Sequence, residues 1–296
     1  RGALAKAAAF LRLHPDECET LEAIFAKDQN VKARGMIVDV LSSAGSSEAQ
    51  ASMRRILSTP AAKHDAAVYR DLVQRFALVA QPTSESLSFV ADLHRSAERQ
   101  GDRALANAAL VARGSIVGKR LAAGDPVAKD EARSLLEHVR GDLSKEPKES
   151  RIALVMAVGN MRHPNASEAL AATAADPDPF VRATVATALR HGNDPGASKM
   201  LVGMMSDADP YVARSAMESH LGHRLSERDL GAFAETVRAG KTNADADVAL
   251  ASSILAHADT SPAAVRSVLE TLLARTPEDS DNAHRLRAAL EGLPTS

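Results

Sequence analysis

Two histidines near residue 220 have a spacing that could serve a metal ion. His220 and His223 are three positions apart, so they share one side of a helix end. A protein metal site needs further ligands, and no cysteine or carboxylate is obviously placed nearby to complete a set. A cation at a helix C-terminus is already favoured by the helix dipole. We therefore predict no metal site and no metal cofactor here.

The stretch GSIVGK, Gly114 to Lys119, resembles a phosphate-binding loop at first sight. Such a loop needs four residues between its glycines and a Ser or Thr after its lysine. Here three residues separate Gly114 from Gly118, Arg120 follows the lysine, and the stretch lies inside a predicted helix. Two glycines one turn apart let a neighbouring helix approach closely. We predict close packing and no bound cofactor.

Nucleophilic catalysis would require an activated side chain, and Cys18 is the single cysteine. It lies in HPDECETLEAIF, among carboxylates that would raise the pKa of its thiol. A lone cysteine also excludes an internal disulfide framework, and its predicted role is core packing. No Gly-x-Ser-x-Gly motif occurs. We predict no catalytic residues, and hence a protein that is not an enzyme.

Five arginines each precede an apolar residue by seven positions, which is two helical turns. Two interpretations stay open: a ladder that binds a ligand, or ion pairs with aspartates of adjacent repeats that hold a helical array together. We favour the structural role. The pairs are Arg34 and Leu41, Arg103 and Leu110, Arg151 and Val158, Arg182 and Leu189, and Arg214 and Leu221.

The amino-acid composition is typical of a soluble globular protein, and its positive and negative charges nearly balance. The 296 residues are 45% hydrophobic and 25% charged, with a net charge of −2. Nucleic-acid binding usually needs a basic excess and stacking aromatics, whereas this chain has no Trp, two Tyr and six Phe. The longest segment without Asp, Glu, Lys or Arg has eleven residues, Val248 to Ala258, too short for a membrane span. We predict neither a nucleic-acid partner nor a transmembrane segment.

The chain repeats itself. DPDPFVRATVATALRHG begins at Asp176, and DADPYVARSAMESHLG begins 31 residues later at Asp207. In each copy an Asp-Pro pair starts a helix, because Asp caps the first turn and Pro sacrifices no hydrogen bond there. Similar signals along the chain, including Asp125-Pro126, predict about 17 helices of about 10 to 18 residues and no strand. The predicted fold class is all-α, with helix pairs stacked in two layers as a superhelix.

The segment DPDPFVRATVATALRHGNDPGASKMLVGMM, residues 176–205, resembles a HEAT repeat. The positions that match are Asp176, Asp178, Pro179, Val181, Arg182, Ala188 and Leu189. This resemblance implies a HEAT-like α-solenoid. Some HEAT-like proteins are di-iron hydroxylases built on His-Glu pairs, and no His-Glu dipeptide occurs here.

A second resemblance covers roughly residues 1 to 225. The order of four segments is similar to the helical, vitellogenin N-terminal type domain of large lipid transfer proteins. That family holds lipid between β-sheets braced by a helical arch, so this chain would be the arch without its container. The segments are VDVLSSAGSSEAQ (38–50), QPTSESLSFVADL (81–93), ALVARGSIVGKRL (109–121) and ALVMAVGNMRHPNASEAL (153–170).

Together these patterns predict one HEAT-like α-solenoid domain over residues 1–296, a fragment of a larger protein. Its function would be a non-enzymatic helical scaffold, either the arch of a lipid-binding protein or a general protein-interaction scaffold without a lipid role. The partner, a lipid or a protein, would bind along the concave side, lined by the second helices of the pairs, around residues 46–57, 165–175 and 195–206. Met200, Met204 and Met205 are predicted to be adaptable core residues, although a methionine-rich face would also suit a plastic binding surface. The lipid-transfer resemblance implies secretion, and no individual binding residue is predicted.

Overall fold

The computed structural model describes residues 2–190, 195–223, 225–242, 244–259 and 261–294. In these ranges the chain forms 18 α-helices and four short 3-10 helices, with no β-strand. The predicted all-α fold class is confirmed. Two helices, with 4 and 5 residues, are shorter than the predicted length of about 10 to 18, and one, with 20 residues, is longer. Residues 191–194 of the HEAT-like segment lie outside the described residues.

The chain divides into two compact units, Arg1–His163 and Pro164–Ser296. The prediction of one continuous domain over residues 1–296 stays a prediction. The helices of the first unit are α1 (Gly2–Leu13), α2 (Glu17–Lys27), α3 (Val31–Ala44), α4 (Ser47–Ser58), α5 (Pro60–Lys63), α6 (Ala66–Arg75), α7 (Ser84–Gln100), α8 (Arg103–Ala122), α9 (Pro126–Arg140) and α10 (Lys148–Met161).

The second unit continues the same pattern of helix after helix. Its helices are α11 (Ala166–Leu170), α12 (Pro179–Leu189), α13 (Pro195–Met204), α14 (Pro210–His220), α15 (Glu227–Arg238), α16 (Ala244–Ile254), α17 (Pro262–Leu273) and α18 (Asp281–Glu291). The 3-10 helices are Phe76–Leu78 and Leu143–Lys145 in the first unit, and Thr173–Ala175 and Leu255–His257 in the second.

Within each unit, a helix packs on its neighbour in sequence and on the helix after that. In the first unit α1, α3, α6, α8 and α10 follow one another in one layer, and α2, α4, α7 and α9 in another. In the second unit α12, α14 and α16 are successive neighbours, as are α15 and α17. Each layer therefore buries apolar surface only against adjacent helix pairs, as in helical-repeat proteins.

Asp-Pro pairs start the repeated helices as predicted. The Asp178 carboxylate accepts a hydrogen bond from the Phe180 amide, and Asp209 does the same for Tyr211, both at 2.8 Å. Asp207 in turn accepts from the Asp209 amide at 2.8 Å. These bonds satisfy amides that the first helical turn leaves without backbone partners. They fix where each helix begins.

The glycines of GSIVGK are where α8 and α10 touch. A Cβ at Gly114 would lie 2.2 Å from the Ala157 carbonyl oxygen, and one at Gly118 would lie 2.6 Å from that of Met161. No side chain fits at such distances. The predicted close packing is confirmed, and Lys119 donates to the Ala77 and Val79 carbonyls at 2.7 and 2.6 Å.

Candidate protein-interaction surface

Cys18 lies inside the first unit, with 1% of its surface exposed. Burial raises the pKa of its thiol, and Glu48 and Glu22 raise it further, while Arg55 lowers it. The thiolate, which is the reactive form of cysteine, is therefore disfavoured. This agrees with the predicted packing role.

His220 and His223 both have protein partners, and the sequence predicted neither of them. The His220 ring is fully buried, and its Nε2 lies 3.2 Å from a carboxylate oxygen of Asp229 on α15. The Nε2 atom of His223 lies 3.2 Å from the Leu189 carbonyl oxygen. In the described part of the chain, no group of three or more His, Cys, Asp or Glu side chains is arranged to hold a metal ion.

The sequence missed Asp229 because it lies on a different helix from His220. Its visible signal was the Ser226-x-x-Asp229 spacing, and the structure shows a capping box there. The Ser226 amide donates to the Asp229 carboxylate at 2.7 Å. The pKa of Asp229 is lowered, since the bonds from Ser226 and His220 outweigh the effect of burial, which by itself raises it. The same carboxylate thus caps α15 and ties α14 to it.

The repeated arginines take different roles. Arg182 has the predicted one: its Nε and Nη2 atoms bind the two carboxylate oxygens of Asp207 at 2.8 and 2.9 Å. This bidentate ion pair joins α12 to the segment that precedes α14. Arg34 instead donates to the Phe25 and Ala61 carbonyls at 3.3 and 3.1 Å.

The other three arginines have different surroundings. Arg151 donates to the Glu146 carbonyl at 2.8 Å. Arg103 is exposed and has no ion pair or side-chain hydrogen bond with any described residue. The Arg214 guanidinium lies 5.4 Å from the centre of the Tyr211 ring. The five repeated arginines therefore do not share a single structural role.

The methionines predicted as core residues are largely inside. Met204 and Met205 are 7% and 1% exposed, and Met200 is partly buried. Met200 and Met204 lie on α13, and Met205 follows it directly. None of them forms an exposed methionine face.

An exposed aromatic pair marks one surface of the second unit. Phe180 and Tyr211 hold equivalent positions in the repeat, and their ring centres are 5.5 Å apart. They are 54% and 44% exposed, whereas the valines that follow them, Val181 and Val212, are fully buried. In each apolar pair the first residue is therefore exposed to solvent and the second lies in the core.

A polar groove runs along α12 and α14 beside this aromatic pair. It encloses about 380 Å³ and is lined by Thr187, Arg190, Tyr211, Arg214, Ser215, Glu218 and Ser219. Phe180 and these seven residues are called the α12–α14 surface below. It presents two guanidinium groups, hydroxyl groups and two aromatic rings to solvent.

The Arg214 side chain is held in place within the α12–α14 surface. It stacks beside Tyr211 and lies 3.9 Å from the Glu218 carboxylate, one turn further along α14. The Glu218 side chain is 49% exposed, so this ion pair is largely screened by water. The guanidinium thus keeps hydrogen-bonding capacity for a partner. Arg190, at the end of α12, has no ion pair with any described residue.

Comparison with known proteins supports the helical-repeat assignment. Residues 128–222, which include α12 and α14, match the family model described as HEAT repeats. The predicted HEAT-repeat fold is confirmed for this segment. No curated protein matches the sequence, and no comparison supports the lipid-transfer resemblance. No helix in the described ranges is long and apolar enough to cross a bilayer.

Twelve chains of solved structures also match, among them human deoxyhypusine hydroxylase in complex with glycerol. That match is 16% identical, covers 93% of this chain and 96% of that chain, and has a TM-score of 0.31. The prediction that the chain is not an enzyme is not confirmed by the comparisons and is withdrawn. A similarity of this level says nothing about a site or a substrate in this chain.

The α12–α14 surface lies on the first helices of their pairs. The sequence-based prediction placed the binding side on the second helices, around 46–57, 165–175 and 195–206. It depended on a concave side of the whole chain and stays a prediction. The described contacts favour the α12–α14 surface as the candidate site.

Proposed function

We propose that this chain is a helical-repeat scaffold that binds a protein partner through the α12–α14 surface. The exposed aromatic pair of Phe180 and Tyr211 beside two arginines supports this proposal above all. Tyrosine and arginine are enriched among the residues that contribute most to protein interfaces. The match to HEAT repeats over this segment is consistent with such a role.

The aromatic pair supplies the apolar part of the binding energy. A buried aromatic side chain covers roughly 150–250 Å². Phe180 and Tyr211 are each about half exposed, so a partner that covered both would bury roughly 200 Å² more. At about 25 cal/mol per Å² this contributes on the order of 5 kcal/mol before the costs of association.

The charges of the α12–α14 surface favour an acidic partner. Its lining carries two guanidinium groups, those of Arg190 and Arg214, and one carboxylate, that of Glu218. The Tyr211 ring restricts the Arg214 side chain, so less side-chain entropy is lost on binding. We infer that the partner presents an extended segment in which Asp or Glu lies close to an apolar residue.

A peptide selection tests this proposal. A library of short random peptides is selected on the chain, and the bound peptides are titrated against purified variants. We expect acidic peptides with an aromatic or aliphatic residue. Tyr211→Ala and Arg214→Glu should each weaken their binding about thirtyfold, the loss typical of a central interface residue.

Matched controls come from the first unit. Phe10 is 49% exposed on α1, and the Arg133 side chain is 66% exposed on α9 beside Asp130. Phe10→Ala and Arg133→Glu should leave peptide binding unchanged. Equal losses in control and surface variants, or selected peptides without acidic residues, would overturn the proposal.

A further inference from the structure

A separate cavity lies near the end of the second unit, between α16 and α18. It encloses about 570 Å³, which is within the range of sites for small molecules, about 300–1,000 Å³. It shares no lining residue with the α12–α14 surface. It is therefore a separate candidate site.

Two stripes at helical spacing face this cavity. On α16 and the 3-10 turn after it, the stripe is Val248, Ala251, Ser252 and Leu255, and on α18 it is Asn282, Arg285, Leu286 and Ala289. Residues three, four and seven apart lie on the same helix side, so each stripe is continuous. Leu272 of α17, 1% exposed, also lines it. Seven of the fourteen lining residues are apolar, and they include Leu272 and five members of the two stripes.

Solvent still reaches part of the apolar wall. Val248 and Leu255 are 40% and 37% exposed, while Leu286 is 8% exposed. A ligand that filled the space would remove aliphatic surface from water on both stripes. The walls thus suit a flexible hydrocarbon chain of modest length.

The polar groups of the cavity set the charge of the ligand. Arg275 is already committed: its Nη1 atom donates to the Val237 carbonyl at 2.7 Å and to the Thr242 hydroxyl at 2.8 Å. The same Nη1 atom lies 3.8 Å from a carboxylate oxygen of Asp247. At that distance the ion pair balances the charge of Asp247 without a hydrogen bond, and the buried Oδ1 atom of Asp247 has no hydrogen-bond partner among the described residues.

Arg285 carries the remaining charge. Arg285 is exposed, and no residue in the described ranges forms an ion pair or a side-chain hydrogen bond with its guanidinium. Asn282, one turn before it on α18, adds an amide to the same rim. A guanidinium beside an amide at the edge of an aliphatic cavity is complementary to a carboxylate attached to a hydrocarbon chain.

We propose that the α16–α18 cavity binds a small amphipathic monocarboxylate. The alkyl chain lies between Val248, Leu255 and Leu286, and the carboxylate accepts hydrogen bonds from Arg285. This site is independent of the proposed protein-binding surface, and either proposal can fail without the other.

Isothermal titration calorimetry with hexanoate, octanoate and decanoate tests the proposal, each ligand being kept below its micelle concentration. We expect one molecule bound per chain. Affinity should rise about fourfold for each added methylene while the chain still fits the cavity. Decanol and decylammonium should bind at least about tenfold more weakly than decanoate, because neither offers an anion to Arg285.

Variants place the site. Arg285→Gln should weaken decanoate about tenfold and leave decanol unchanged. Arg287→Gln is the matched control, because Arg287 lies on the same helix but donates to the Glu278 carbonyl at 3.1 Å and does not line the cavity. Ala251→Phe, which fills the cavity, should abolish binding of decanoate and decanol alike.

Three results would overturn the proposal. One is the absence of decanoate binding to the wild-type chain. Another is decylammonium or decanol binding as tightly as decanoate, which would indicate a cationic or neutral ligand. The third is equal weakening by Arg285→Gln and Arg287→Gln. The comparison among ligands uses the wild-type chain, so it does not depend on how any variant folds.

Discussion

Replacing Gly114 by alanine should destabilise the first unit, against the usual effect of this substitution in a helix. Alanine is the better helix former by about 1 kcal/mol, so an unhindered Gly→Ala change inside a helix stabilises. At Gly114, however, the new methyl group would lie 2.2 Å from the carbonyl oxygen and 2.5 Å from the Cα of Ala157. Both contacts are with the backbone of α10, which cannot move aside as a side chain can.

The size of the effect follows from the separation that the methyl group requires. Carbon and oxygen atoms need a little over 3 Å, so α8 and α10 must move apart by about 1 Å at this crossing. A gap of that size forfeits about a quarter to a half of the dispersion energy of the side chains beside it, such as Ile116 and Val158. Overpacking costs about 1–3 kcal/mol. Contacts of 2.2 and 2.5 Å with backbone atoms place this change in the upper part of that range, about 2–3 kcal/mol, which exceeds the gain in helix propensity of about 1 kcal/mol.

The assay is equilibrium unfolding in urea, followed by circular dichroism at the helix band. Gly231 on α15 is the matched control, since a Cβ there meets no atom within 4 Å. We expect Gly114→Ala to lower the free energy of unfolding by about 1–2 kcal/mol net and Gly231→Ala to raise it by up to about 1 kcal/mol. If Gly114→Ala proves as stable as the wild-type chain, the close approach of α8 and α10 is refuted.

Three further predictions concern buried polar groups. Burial, followed by the charge of Arg113, lowers the pKa of His94 to about 4. Between pH 6.5 and 4 the unfolded chain therefore binds a proton that the folded chain does not. The free energy of unfolding should fall over this range, by about 2 kcal/mol at pH 5. Urea unfolding at pH 7.5 and 5 measures this loss, which His94→Gln should largely remove. In a double-mutant cycle, Arg182→Ala and Asp207→Ala should show a coupling of about 1–3 kcal/mol in the free energy of unfolding, because their ion pair is bidentate and mostly buried. Additive effects of the two substitutions would contradict this. Tyr69→Phe should cost about 1 kcal/mol in unfolding free energy, since the buried hydroxyl donates to the Leu57 carbonyl at 3.0 Å, and an unchanged stability would refute that bond.

Local signals in the sequence were sufficient for the helix starts and for the glycine contact. Asp178 and Asp209 cap the helices that follow them, and this chemistry involves only neighbouring residues. Gly114 and Gly118 sit one turn apart in a long helix, a pattern typical of close helix contact. In both cases the deciding interaction was already encoded within a few residues.

Contacts between residues of different helices could not be predicted from the sequence. The pairing of His220 with Asp229 depends on how α14 packs against α15, which no local spacing reveals. The same holds for Phe180 and Tyr211: the sequence marked them as members of apolar pairs, and only the packing shows that they face solvent. The candidate surface therefore became visible only in three dimensions.

The ion pair between Arg182 and Asp207 has a further consequence for how the repeats diverge. The two residues are 25 positions apart, and the same step from the equivalent Arg214 reaches Ala239. A duplicated repeat inherits its arginine, but the aspartate that would bind it belongs to the next copy. Where that acid is missing, the guanidinium is released from holding the array together, and here it stacks beside Tyr211 at the surface. Where a repeat junction lacks the acidic residue, an arginine that is structural in one repeat can thus contact a binding partner in the next.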